Sequence, residues 1–163
     1  MTVTTLSDLF HETLKDIYYA EKKLVNALPK MASKAHSPQL KDALLSHLAE
    51  TEGQVERLED VFAAIDKKPL TKKCEAIEGL LKEASELLDE IKDKRTLDAA
   101  IISSSQTIEH YEIARYGTLV AWAGELGRDE VAAMLQSTLD EELAADTALS
   151  VIAGSFVNQK AAA

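Results

Sequence analysis

Four glutamates in this chain fall where a leucine would be expected. On a helical wheel of about 100° per residue, Glu21 lies between Ile17 and Leu24 on an otherwise apolar stripe. Glu112 lies beside Ile108 and Leu119, and Glu142 and Asp146 lie between Leu139 and Leu149. A further segment centres Thr51 on its apolar face, with His47 and Gln54 beside it and Glu50 on the same flank. Each of four long amphipathic segments therefore interrupts its buried stripe with polar groups.

The spacing also puts these groups at one level. Turns are expected near His36-Ser37 and near Leu126-Gly127. Counted from its own turn, each of Glu21, Glu50, Glu112 and Glu142 sits roughly 20–24 Å along the helix at ~1.5 Å rise per residue. Ionised carboxylates gathered out of water cost several kcal/mol each unless a shared proton, basic partners or metal cations compensate. Two divalent ions would neutralise four carboxylates, and oxygen-rich ligation suits iron, manganese or magnesium better than copper. The expected ligands are Glu21, Glu50, Gln54, Glu112, Glu142 and Asp146, with His47, Glu109, Tyr111 and Arg115 as supports or further ligands.

The usual dimetal carboxylate bundle carries Glu-x-x-His on two of its helices. Here Gly53 follows Glu50 by three residues, and Ala145 follows Glu142 by three. A site this poor in imidazole favours harder ions. The competing reading is a metal-free, ion-paired core, with Arg115 one turn after Glu112 on the inward face and Arg57 flanking the second helix. On that reading His47 is a hydrogen-bonded core histidine. Tyr18, Tyr111 and Tyr116 are expected to pack with satisfied hydroxyls in preference to serving radical or proton transfer, Trp122 to be core, and Cys74 to be a buried structural thiol in preference to a reactive one at a helix start.

The elements that must hold these residues are five helices. The first spans about Thr5 to Ala35, with Pro29 expected to kink or restart it. Ser37 as N-cap and Pro38 at the first helical position open the second, which runs to about Asp66. Lys67-Lys68-Pro69 breaks it, and a shorter helix follows from about Cys74 to Ile91. Thr96 opens the third long helix, which ends at Leu126-Gly127 with glycine suited to a left-handed cap. The fourth runs from Arg128-Asp129 to about Val157. Two tight hairpins joined by a long crossover, about residues 67–95, make an all-α ferritin-like four-helix bundle, a single domain over 1–163.

Composition agrees. The 163 residues are 46% hydrophobic but only 5% aromatic, with three prolines and six glycines, which favours aliphatic helices over sheets. A net charge of -10 argues against nucleic acid and against anionic membranes. One cysteine allows neither an intrachain disulfide nor a zinc knuckle. No signal peptide and no apolar run of the ~20 residues that span a bilayer are evident, so a cytoplasmic protein is expected, without haem or nucleotide.

Several stretches together resemble the YciF-like (YciE/YciF) family of bacterial ferritin-like proteins over nearly the whole length. They are Tyr18-Tyr19-Ala20-Glu21-Lys22-Lys23-Leu24, His47-Leu48-Ala49-Glu50-Thr51 with Gln54 and Arg57, and Cys74-Glu75-Ala76-Ile77-Glu78-Gly79-Leu80. Glu109-His110-Tyr111-Glu112-Ile113-Ala114 with Tyr116-Gly117-Thr118, and Leu139-Asp140-Glu141-Glu142, complete the set. The resemblance implies a ferritin-like bundle, homodimers, an association with bacterial stress responses and a dimetal site, but no established activity. Three functions compete: a dimetal oxidoreductase consuming oxygen or peroxide, a catalytically silent bundle serving structure or a protein partner, and iron storage in a hollow shell. The tail Gln159-Lys160-Ala161-Ala162-Ala163 lacks the basic character of DNA-protecting shells.

Overall fold

The computed structural model describes residues 3–163. Four long helices, α1 (Leu6–Lys34), α2 (Pro38–Ala64), α4 (Lys94–Glu125) and α5 (Asp129–Ile152), form the bundle, and α3 (Glu75–Glu90) lies in the crossover. This is the ferritin-like arrangement of two antiparallel hairpins and a long connection carrying a fifth helix. Each of α1 and α4 packs on its hairpin partner and the two also pack on each other, while α2 also packs on α5. No strand occurs among the described residues.

The caps follow the local sequence. Thr5 and Asp8 form a reciprocal capping box at α1, and the Ser37 hydroxyl accepts from the Leu40 amide with Pro38 in the first turn. Asp93, not Thr96, caps α4: its carboxylate accepts from Thr96 N at 2.8 Å, so the helix starts two residues earlier than expected. Gly127 takes φ 66°. There its N–H donates to Gly124 O and that of Arg128 donates to Ala123 O, both at 2.9 Å, closing the helix with a Schellman pair. The same pair ends α2, with Asp66 in the left-handed position at φ 55°.

Two expectations change. Helix α1 runs through Pro29 without restarting, because Pro29 faces solvent and the carbonyl it leaves unbonded one turn earlier can be hydrated. The last helix does not run unbroken to Val157. It passes into a π-helical turn at Ala153–Val157 and ends in a short helix, α6 (Asn158–Ala162).

Buried Asp98 fixes the relative direction of the two hairpins. Its carboxylate accepts from the backbone N–H of His36 at 2.7 Å and of Ser37 at 2.8 Å. The start of α4 therefore sits against the α1–α2 turn, so α4 runs antiparallel to α1 and the two hairpin turns lie at opposite ends. With α4 about 48 Å long at ~1.5 Å per residue, groups some 20–24 Å from either turn meet at mid-height. The core above and below that level is aliphatic: Leu14, Ile17, Leu24, Leu40, Leu44, Leu58, Ile101 and Leu119 are all fully buried.

A candidate carboxylate centre at mid-bundle

Helix α1 contributes Glu21, fully buried one turn from Ile17 and Leu24. Helix α4 contributes two acids one turn apart, Glu109 and Glu112, and α5 contributes Glu142. Helix α2 contributes His47, Thr51 and Gln54, all buried. Single ligating atoms of His47, Glu109, Glu112 and Glu142 lie within 4.8 Å of one another. Glu21 faces the same group from the opposite hairpin, close enough for its charge to bear on both Glu112 and Glu142.

Among the described residues, His47 is the one basic side chain that ion-pairs with any of these four acids, and it reaches two of them. Its Nε2 lies 3.1 Å from Glu109 Oε1 and 3.5 Å from Glu142 Oε2, and its Nδ1 lies 3.3 Å from Glu50 Oε2. Burial opposes the charged ring, but the carboxylates of Glu109, Glu50 and Glu21 outweigh it and hold the pKa up to about 9. Burial pushes Glu21 up to about 7 against the hydrogen bond from the Tyr116 hydroxyl, which favours its ionised form. Burial, reinforced by the neighbouring acids, also pushes Glu112 and Glu142 well above the usual carboxylate range.

The oxygen inventory is the most informative feature. Glu21 Oε2, Glu109 Oε2, both oxygens of Glu112 and both of Glu142 are buried without a hydrogen-bond partner, as is Gln54 Oε1. Leaving such acceptors unpaired costs about 1–3 kcal/mol each, more when charged. A donor set of carboxylates, one amide oxygen and one imidazole fits hard or borderline divalent ions.

Glu112 and Glu142 come together with His47, Glu21 lies near both acids, and Gln54 is buried on α2 with its amide turned to Glu141. Glu109, read from the wheel as an edge residue, is inside the cluster. Glu50 stands at the rim with its side chain 44% exposed, holding His47. Asp146 lies apart, on the seam between α4 and α5, where it accepts from Gln106 Nε2 at 2.9 Å and lies 3.4 Å from His110 Nε2. Arg115 does not turn inward: it is exposed and its guanidinium sits 5.4 Å from the centre of the Tyr111 ring. The Tyr111 hydroxyl is 3.0 Å from Cys74 Sγ at the start of α3. Arg57 pairs with Glu141, Nη2 to Oε1 at 2.8 Å, while Gln54 Nε2 donates to Glu141 Oε2 at 3.0 Å. The tyrosine that touches the cluster is Tyr116. The sequence signal for it was its place one turn after Glu112 and just before the buried Leu119.

A ferritin-like bundle with a buried glutamate-rich centre defines the class of protein. The model of a domain of unknown function, DUF892, matches residues 5–162, and the chain belongs to that family. Protein YciF of Escherichia coli K12 is 41% identical over 162 residues, covering 99% of this chain and 98% of that one. The crystal structure of the E. coli stress protein YciF superposes with a TM-score of 0.92, covering 96% of this chain and 99% of that one. YcfI of Rhodopseudomonas palustris, 51% identical, gives a TM-score of 0.90 over 91% of this chain and 94% of that one. The resemblance read from the sequence is therefore the family to which the chain belongs.

Proposed function

We propose that the mid-bundle centre binds two divalent metal ions, iron or manganese by preference and magnesium as the harder alternative. What supports this is the set of six buried carboxylate oxygens without partners on Glu21, Glu109, Glu112 and Glu142. Four carboxylates balance two divalent charges, and no lysine or arginine ion-pairs with Glu21 or Glu112 among the described residues. Glu21, Glu109, Glu112, Glu142 and His47 would hold the pair, with Gln54 through its Oε1. Glu50, at the rim, would orient His47 through its Nδ1. Asp146, held by Gln106, would serve the α4–α5 seam instead.

Ferrous or manganous ions in such a site supply electrons to dioxygen or peroxide. The protein's own part is to keep the centre dry with the aliphatic layers above and below, to orient Glu21 through Tyr116, and to orient the His47 ring through Glu50. A role in bacterial stress physiology accords with the description of the E. coli relative as a stress protein. No helix of the described residues is long and apolar enough to cross a membrane, in keeping with a cytoplasmic setting. Homodimerisation is part of the same reading, and light scattering distinguishes it from a storage shell.

A second reading is a silent structural or interaction bundle. It is favoured by the absence of histidine at Gly53 and Ala145 and by the R. palustris relative, which has been proposed as a structural protein. Elemental analysis decides between them. Untagged protein, reloaded anaerobically with ferrous or manganous ion, should hold about two metals per chain, and Glu112→Ala should lose them. Metal-free protein in both cases would leave the structural reading.

A further inference from the structure

The position at which a bundle of this type would carry its second-hairpin histidine is occupied by Ala145. A cleft of ≈ 270 Å³ opens beside it between α2 and α5. Its inner end is formed by His47 and Glu109, and the Glu109 side chain is 2% exposed with Oε2 unpartnered. Its α5 wall is made of methyl groups, Ala144, Ala145 and Ala148, and Glu50 stands on the α2 side near the exterior. The cleft thus reaches the carboxylate centre on the side where a protein imidazole is missing.

We propose that this cleft seats a small exogenous ligand on the metal centre, in the place the absent histidine would fill. Three observations fix the ligand's class. The volume is below the roughly 300–1,000 Å³ of drug-sized pockets, which leaves room for a molecule of a few heavy atoms. The α5 wall is aliphatic, with Ser46 and Glu50 as polar groups on the α2 side, and Glu50, within a chain of net charge -10, repels anions at the mouth. The occupant is therefore small and neutral on approach, in the range from dioxygen or hydrogen peroxide up to imidazole.

This inference rests on the metal-binding reading, and its test separates the two. Cobalt(II) serves as a coloured metal and neutral imidazole as the probe. Wild-type cobalt protein should change its visible spectrum saturably as imidazole is added. Ala145→Leu and Ala148→Leu, with wall methyls enlarged, should bind the same cobalt but require about tenfold or more imidazole, the scale of a disturbed ligand shell. Ala145→His should show the imidazole-treated spectrum with none added and should not respond further. Cobalt binding with no imidazole response in wild type, or a response in both leucine variants equal to that of wild type, overturns the cleft as a ligand seat and leaves the metal site standing. Failure of wild type to bind cobalt overturns both.

Discussion

The Tyr116 hydroxyl donates to Oε1 of Glu21, linking α4 to α1 through the middle of the core, and both side chains are fully buried. The bond leaves Glu21 Oε2 free to face the other acids and biases Glu21 toward its ionised form. Tyr116→Phe would leave a buried carboxylate oxygen without a donor. The metal-free variant should lose about 1–3 kcal/mol in urea unfolding. Metal affinity, read by competition with a chelator, should fall roughly 10–100-fold, as when a partner that orients a ligand is removed. Unchanged affinity would mean that Glu21 is no ligand.

Glu112 has the opposite energetic sign without and with metal. Both of its oxygens are unpartnered in a closed core, so replacing it with an uncharged isostere relieves repulsion among the acids. Glu112→Gln should leave the metal-free protein as stable as wild type or more stable by about 1–4 kcal/mol at pH 8, as seen when buried charges are replaced by neutral groups. It should also abolish the additional stability that manganese or iron gives wild type. Thermal melts of both proteins with and without metal check the pair. A variant that simply melts lower in both states would point to a structural carboxylate.

Metal-free protein should lose stability as the pH rises from 5 to 9. Glu21, lifted from 4.5 to about 7 chiefly by burial, binds more proton when folded than unfolded between those values, so stability falls across that window. His47, lifted from 6.5 to about 9, contributes stability that is complete below 6.5 and lost as the pH passes 9. Glu112 and Glu142 add in the same direction, since burial raises both. Glu141, held below its usual range by Arg57 and Gln54 against the cost of burial, opposes them only in acid below this window. Urea midpoints taken at half-unit pH steps should fall steadily. Saturating metal should reverse the slope, because binding displaces these protons. Midpoints that rise between pH 6 and 8.5 without metal would contradict the proton inventory.

Asp98 should be among the costliest surface-remote substitutions. Its two hydrogen bonds to the His36 and Ser37 amides are charge-assisted and 7% exposed at the residue level. Asp98→Ala strands both amides and should cost about 3 kcal/mol or more at two charged bonds of roughly 1.5–3 kcal/mol each. Asp98→Asn keeps one acceptor and should cost less. Equal effects of the two, measured by urea unfolding, would mean that one neutral acceptor recovers none of the interaction, and no effect of either would mean that the two bonds do not contribute.

Helical period and rise are properties of the chain alone. They sufficed to place four long helices, both hairpin turns and Glu21, Glu112 and Glu142 at one height, because 3.6 residues per turn and 1.5 Å per residue hold before any packing occurs. Rotation of each helix about its own axis is different, since it is set by what the neighbours offer. In α4, Leu97 and Trp122 read as inward, yet Asp98 and Ala123 are the more deeply buried neighbours. The buried face is therefore wider than the wheel suggests: beside Ile101, Ile108, Glu112 and Leu119 it takes in Ser105, Glu109 and Tyr116, and it leaves Arg115 in solvent. A face so rich in polar groups has no sharp apolar centre for a wheel to find. That face puts Glu109 in the fourth acidic corner while Glu50 stands at the rim, and Asp146 binds Gln106 on the α4–α5 seam. The sequence by itself determined the bundle and the level of its acids. Only the packing of α4 against α1 and α5 decided which acids meet, because burying Ile101, Ile102 and Leu119 together fixes the angle at which every other α4 side chain must point.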